Sequence, residues 1–207
     1  GFPVTINAGI NALKVYEDLL VNFVGDKTEI EKELKNNALS SKFLSRIEIT
    51  HASEVINMDD SPSVALRHKK DSSMRVAINL VKNGTADACV SAGNTGALMS
   101  IARFVLKTIS GVDRPAIMSA VPTLTGPTHV LDLGANIDSK PSTLLQFAIM
   151  GSIAVQYTEN IGRPSVGLLN VGTEELKGND KSQETSELLK KSSLNYIGFV
   201  EGDDIYK

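Results

Sequence analysis

The stretch VSAGNTGALM, Val90 to Met99, sets two glycines, an asparagine, a serine and a threonine between two apolar runs. It is too polar for a core and too glycine-rich for a helix interior. Its flanks give it meaning. Upstream, ADACVSAG (residues 86–93) reads as a strand, and downstream ALMSIARFVLKTI (97–109) reads as a helix. A strand that turns through glycines into a helix is the repeating piece of an α/β fold, and the same alternation recurs along the chain. LLVNFVGD (19–26) reads as a strand before the mixed-charge helix KTEIEKELKNN (27–37). SRIEITHAS (45–53) is the next strand, and the amphipathic helix SSMRVAINLVKNG (72–84) ends on Gly84, where a C-cap is expected. HVLDLGAN (129–136) precedes a helix starting near Pro141. SVGLLNVG (165–172) precedes the helix SQETSELLKK (182–191), and YIGFVEGDD (196–204) follows.

Strands alternating with helices predict a doubly wound, mainly parallel sheet with helices on both faces, a three-layer αβα arrangement. No linker or low-complexity tract divides the chain, so residues 1–207 read as a single α/β domain. Both ends read as cut. Gly1-Phe2-Pro3 enters the helix INAGINALKVYEDLL (6–20) from a loop with no strand ahead of it, and the last strand is followed by almost nothing. The domain is therefore expected to lack its N-terminal strand and the C-terminal part of a longer protein.

Composition narrows the classes. Hydrophobic residues make up 42% and charged residues 22%, the profile of a soluble globular protein. A net charge of -3 leaves no overall basic footprint and argues against a nucleic-acid partner. The lone Cys89 cannot form an internal disulfide and reads as a buried thiol in a reducing cytoplasm. The most apolar stretch, LLQFAIMGSIAVQY (144–157), is shorter than the roughly 18 residues of a spanning helix. It reads as a buried or interface helix, with Gly151-Ser152 allowing close packing against a neighbour.

In open α/β sheets, ligands bind outside the carboxyl ends of the strands. Here those ends are small and polar: VGD, THAS, SAGNTG, LGAN, NVGTE and EGDD. They define a candidate rim. At Gly93-Asn94-Thr95-Gly96, free N–H groups and the positive end of a helix dipole suit an anion. A tight βα turn capped by Asn94-Thr95 explains the same residues, and both readings stand. Arg67, Lys69, Lys70, Ser72 and Ser73 place cations and hydroxyls just before a helix, which suits phosphate or another polyanion. A solvated basic loop with Asp71 or Ser72 as N-cap is the alternative. After the strand ending at Asn170, the loop offers Glu174, Glu175, Lys177 and Asn179, while LDLGANID offers Asp132, Asn136 and Asp138. No Cys/His cluster has metal-ligand spacing, no G-x-S-x-G elbow appears, and His51, His68 and His129 have no nucleophile beside them in the sequence. A rim rich in amides, hydroxyls and cations suits a substrate that brings its own anionic nucleophile.

The motifs SPSVALRHKKDSSM, ADACVSAGNTGALM, RPAI, LDLGAN, QFAIMG, LLNVGTEELKGN and GFVEGDDI, in this order, resemble the phosphate acyltransferases of bacterial phospholipid synthesis, the PlsX family. The resemblance runs across almost the whole chain. It implies transfer of a long-chain acyl group from acyl carrier protein to inorganic phosphate, giving an acyl phosphate for phosphatidic acid synthesis. It also implies a fold similar to phosphotransacetylases and isocitrate-dehydrogenase-like enzymes, and a homodimer. A cytoplasmic location is expected, with peripheral contact at the inner face of the membrane, and no cofactor or metal. The family's opening Asp-Ala-Met-Gly-Gly-Asp segment is absent here.

Phosphate is already an anion near neutral pH, so such a reaction needs a phosphate cradle and donors for the developing oxyanion. Lys177 is the expected electrostatic catalyst. Arg67, Lys69, Lys70, Ser72, Ser73 and the loop Gly93, Asn94, Thr95, Gly96 are expected to bind phosphate. Asn136, Asn170, Glu174 and Asn179 are expected to position the groups around them. The rival expectations are a phosphotransacetylase using short acyl-CoA, a decarboxylating dehydrogenase, and a non-enzymatic phosphate- or nucleotide-binding domain.

Overall fold

Helices and strands alternate from the start of the chain. The computed structural model describes residues 2–37, 41–136, 138–171 and 180–206. In order, the elements are α1 (Phe2–Val15), β1 (Val21–Gly25), α2 (Lys27–Asn36), α3 (Ser41–Leu44), β2 (Ile47–His51), α4 (Pro62–His68), α5 (Ser73–Lys82), α6 (Thr95–Leu106), β3 (Met118–Thr123), β4 (Gly126–Leu131), α7 (Pro141–Thr158), β5 (Ser165–Leu169), α8 (Asp180–Lys190) and β6 (Asn195–Val200). They group into two compact units, Gly1–Lys107 and Thr108–Lys207.

In the first unit, β1 and β2 pair in parallel, Val21 opposite Ile47 through Gly25 opposite His51. α1 buries Ile6, Ile10 and Leu13, one helical face. Ile6 and Ile10 join Phe23 of β1 and Ile30 and Leu34 of α2 in one core. α2 starts where Asp26 accepts a hydrogen bond from Glu29 N (3.0 Å). α1 begins earlier than the sequence reading, because proline is tolerated in a first turn. It also ends earlier, at Val15. The Arg46 guanidinium donates to the carbonyls of Leu13 (2.7 Å), Tyr16 (2.8 Å) and Glu17 (3.0 Å), a cation at a helix C-terminus. A second core joins α4, α5 and α6 through Ala65, Met74, Ile78, Ala97, Ile101 and Val105, with Cys89 packed against it. Burial pushes the Cys89 thiol up, which keeps it protonated.

The expected strand at residues 86–93 is a correction. The segment leads into α6 but pairs with no strand among the described residues. Asp87 and Ala88 are exposed and Val90 is 95% exposed, so of this apolar run Cys89 packs on the core while its neighbours face outward.

In the second unit, β3 and β4 form an antiparallel hairpin, Met118 opposite Leu131. Pro122 and Pro127 face each other in it, and two prolines in one run disguise a strand pair in the sequence. β5 and β6 pair in parallel, with Gly167 so close to Val200 that an added Cβ would lie 2.7 Å from its Cγ1. α7 buries Thr143 and Phe147, and α8 buries Thr185, Ser186 and Leu189. The fold is thus mixed helix and strand with parallel pairing in each unit. Among the described residues the ladders are three two-stranded pairs. No described helix is long and apolar enough to cross a membrane.

Candidate functional site

In the first unit, the expected residues gather around the starts of α5 and α6. Asn94 is the N-cap of α6: its Oδ1 accepts from Ala97 N at 3.0 Å. Its Nδ2 donates to the carbonyls of Asn57 (3.3 Å), Met58 (3.0 Å) and Asp60 (2.9 Å). The side chain is 8% exposed, and its amide is committed within the chain. Thr95 and Gly96 follow as exposed residues in the first helical turn, whose N–H groups lack intrahelical acceptors. Gly96 is closely packed, since an added Cβ would lie 3.0 Å from Pro62 Cγ at the start of α4. An added Cβ at Gly93 would meet Met74 Cε at 3.1 Å.

Lys69 reaches the same loop from the other side. Its Nζ donates to Asp60 Oδ2 at 2.5 Å and to Val55 O at 2.7 Å. Asp60 also accepts from Asn57 N at 2.7 Å. The Lys69 hydrogen bond, with the Asn57 N–H, holds the Asp60 carboxyl below the usual carboxylate range. Ser72 is the N-cap of α5, fully buried, accepting from Arg75 N and donating to Lys69 O at 2.8 Å. Ser73 N donates to Glu54 O at 3.2 Å. Asp71, the other candidate cap, instead accepts from Ser53 Oγ (2.5 Å) and Ser53 N (2.8 Å), which lowers its carboxyl pKa. Arg67 and Lys70 are exposed at the end of α4 and just beyond it.

In the second unit, Asp132 organises the loop after β4. Its carboxylate accepts from Ile117 N (2.8 Å), Asn136 N (2.7 Å), Asn136 Nδ2 (3.0 Å) and Ala135 N (3.3 Å). Burial pushes its pKa up, but these donors outweigh it and the net shift is downward. Asn136 Nδ2 also donates to Pro115 O at 3.0 Å. Asp138 pairs with Lys181 in the first turn of α8, which lowers the Asp138 carboxyl pKa. That pair holds the start of α8 beside the Asp132–Asn136 loop. Asn170, at the end of β5, donates its N–H to Val200 O at 2.9 Å. Glu174, Glu175, Lys177 and Asn179 lie outside the described residues.

Two of the three histidines, His51 and His129, are engaged elsewhere. His51 Nδ1 accepts from Lys27 N at 3.3 Å, and His129 Nε2 lies 3.3 Å from Glu159 Oε1. Among the described residues, no group of three or more His, Cys, Asp or Glu side chains is arranged to hold a metal. Two open cavities, about 400 and 310 Å³, are lined by residues around Tyr16 and around Ile153, none of them an expected site residue.

The family model described as fatty acid synthesis protein matches residues 2–207. The chain belongs to this family. Its members named phosphate acyltransferase include one from Ruthia magnifica subsp. Calyptogena magnifica, 64% identical over all of this chain and 61% of that protein. Another, from Vesicomyosocius okutanii subsp. Calyptogena okutanii, is 62% identical over all of this chain and 61% of its own length. A third, from Methylococcus capsulatus, is 55% identical over all of this chain and 60% of that protein. The family indicated by the motifs is the family found. The chain spans about three fifths of the length of these relatives.

For this phosphate acyltransferase family member, sequence reasoning overlooked Asp60, the carboxylate that joins Lys69 to the loop Asn94 holds. A local signal existed. Ser61-Pro62 is a cap-proline helix start, and Ser61 does cap α4, which fixes the loop just before it. The pairing of Asp60 with Lys69 has no such signal, because it depends on how α4 turns back.

Proposed function

We propose that the full-length protein is an acyltransferase that moves a long-chain acyl group from acyl carrier protein to inorganic phosphate, yielding an acyl phosphate for phosphatidic acid synthesis. The observation that carries the reading is 64% identity over the entire chain to a protein named phosphate acyltransferase. A phosphate oxygen attacks the thioester carbonyl, a tetrahedral oxyanion forms, and its collapse expels the carrier thiolate. The work left to the protein is to position one anion and stabilise a second.

In this reading Lys177 faces both anions. The N–H groups of Thr95 and Gly96, with Arg67, Lys69, Lys70, Ser72, Ser73, Gly93 and Asn94, form the phosphate cradle and its supports. Asn136, Asn170, Glu174 and Asn179 position the reacting groups. Two features support the division of labour. Asn94 and Ser72 use their side chains as caps, which leaves the exposed first turn of α6 to meet an anion. Lys181, in the first turn of α8 and four residues after Lys177 in the sequence, is paired with Asp138, two residues beyond Asn136. The proposal extends to the architecture, a single doubly wound three-layer αβα domain, and to a cytoplasmic homodimer in peripheral contact with the membrane.

The test is Lys177→Ala in the full-length enzyme, assayed with long-chain acyl carrier protein and phosphate. Loss of one oxyanion donor predicts a fall in kcat of about 100- to 1000-fold. Near-normal turnover contradicts the role given to Lys177.

A further inference from the structure

Charge is unevenly spread along this chain. Between Pro62 and Lys107 stand seven Lys and Arg residues against two acidic ones, Asp71 and Asp87, a net charge of +5 in a chain that totals -3. Neither α5 nor α6 carries an acidic side chain. The two helices bury Met74 and Ile78 against Ala97, Ile101 and Val105, so their cations are left to the outside. There Phe104, 54% exposed, lies between two of them. The Arg75 guanidinium carbon is 5.5 Å from the ring centroid and the Lys107 ammonium is 4.8 Å from it. Stacking on the ring holds two long side chains in place before any partner arrives, which lowers the ordering cost of binding.

We infer that the Arg75–Phe104–Lys107 face docks an acidic protein surface, that of the carrier bearing the acyl thioester; the choice of occupant rests on the acyltransferase reading. An exposed aromatic anchor flanked by cations has the composition of an interface hot spot. Unlike charges across an interface speed encounter and fix register. An acyl group presented on a protein needs such a face, whereas phosphate needs only a cradle. An anionic lipid surface fits less well. Membrane-surface helices insert a free apolar face, and α6 spends its apolar stripe inside the core.

The experiment uses the full-length enzyme and acyl carrier protein as the probe. Binding is read by fluorescence anisotropy and phosphate dependence by initial rates. Lys107→Glu and Arg75→Glu are expected to weaken carrier binding about tenfold or more, with the KM for phosphate within about twofold of wild type. Lys107→Arg is expected to retain binding, and the wild-type Kd to rise with salt. An unchanged Kd in variants that melt like wild type overturns the inference, as does an equal rise in the KM for phosphate. Lost cosedimentation with phosphatidylglycerol vesicles at unchanged carrier Kd also overturns it and assigns the face to the membrane. A wild type that binds the carrier through this face yet makes no acyl phosphate sinks the acyltransferase reading and leaves the docking face standing.

Discussion

Asn94 spends one side chain on two structures. Its oxygen caps α6 and its two N–H groups are shared among three carbonyls of the 57–60 loop. Asn94→Ala removes the cap and leaves those carbonyls short of donors, so unfolding titrations should show a loss of about 2–3 kcal/mol. Asn94→Asp keeps the cap acceptor but turns a carboxylate toward three carbonyl oxygens. It should be no better than alanine, and a wild-type-like Asn94→Asp would contradict this account. Asp132 gives a pH signature. Its carboxyl pKa is depressed in the folded state, so its contribution is present above the unfolded value of about 3.9 and is lost as pH falls through the folded value. The stability gap between wild type and Asp132→Asn should be flat above about pH 5 and narrow below pH 4. At this scale the sequence was half legible. That Ser72 and Asn94 cap helices follows from residue type and position, and capping was one of the two readings left open. That Asp60 meets Lys69, and Asp138 meets Lys181, depends on chain reversals that no local pattern encodes.

At the scale of elements, glycines separate close packing from open space. An added Cβ at Gly9 in α1 would lie 2.6 Å from Phe23 Cζ, a buried ring with nowhere to go. Gly9→Ala should cost about 1–3 kcal/mol of stability despite alanine's better helix propensity. Gly151, in the middle of α7, has no described atom within 4 Å of such a Cβ. The close neighbour expected there is not supplied by the described residues. Gly151→Ala should be neutral or stabilising by up to about 1 kcal/mol in thermal melts. The amphipathic helix α5 was legible because its period agrees with the glycine that follows it, and α2 was legible as a run of mixed charge. The β3–β4 hairpin was not, since Pro122 and Pro127 break the usual strand signal. Residues 86–93 show the converse, an apolar run without a ladder, because strand identity is conferred by a neighbour.

For the whole molecule, family membership rests on the match over residues 2–207, and the motifs that carried the resemblance are distributed across that length. Alternation of helix and strand was readable because each element carries its own periodicity. Sheet order was not, because it is set by pairings between distant segments. The activity belongs to a protein of which this chain spans about three fifths in the curated relatives. The direct measurement is acyl-phosphate formation by the full-length protein from long-chain acyl carrier protein, with and without inorganic phosphate. The account predicts acyl phosphate that appears only when phosphate is added and that saturates with it. Thioester consumption without acyl phosphate, or a preference for acetyl-CoA over the carrier-bound long chain, would contradict it.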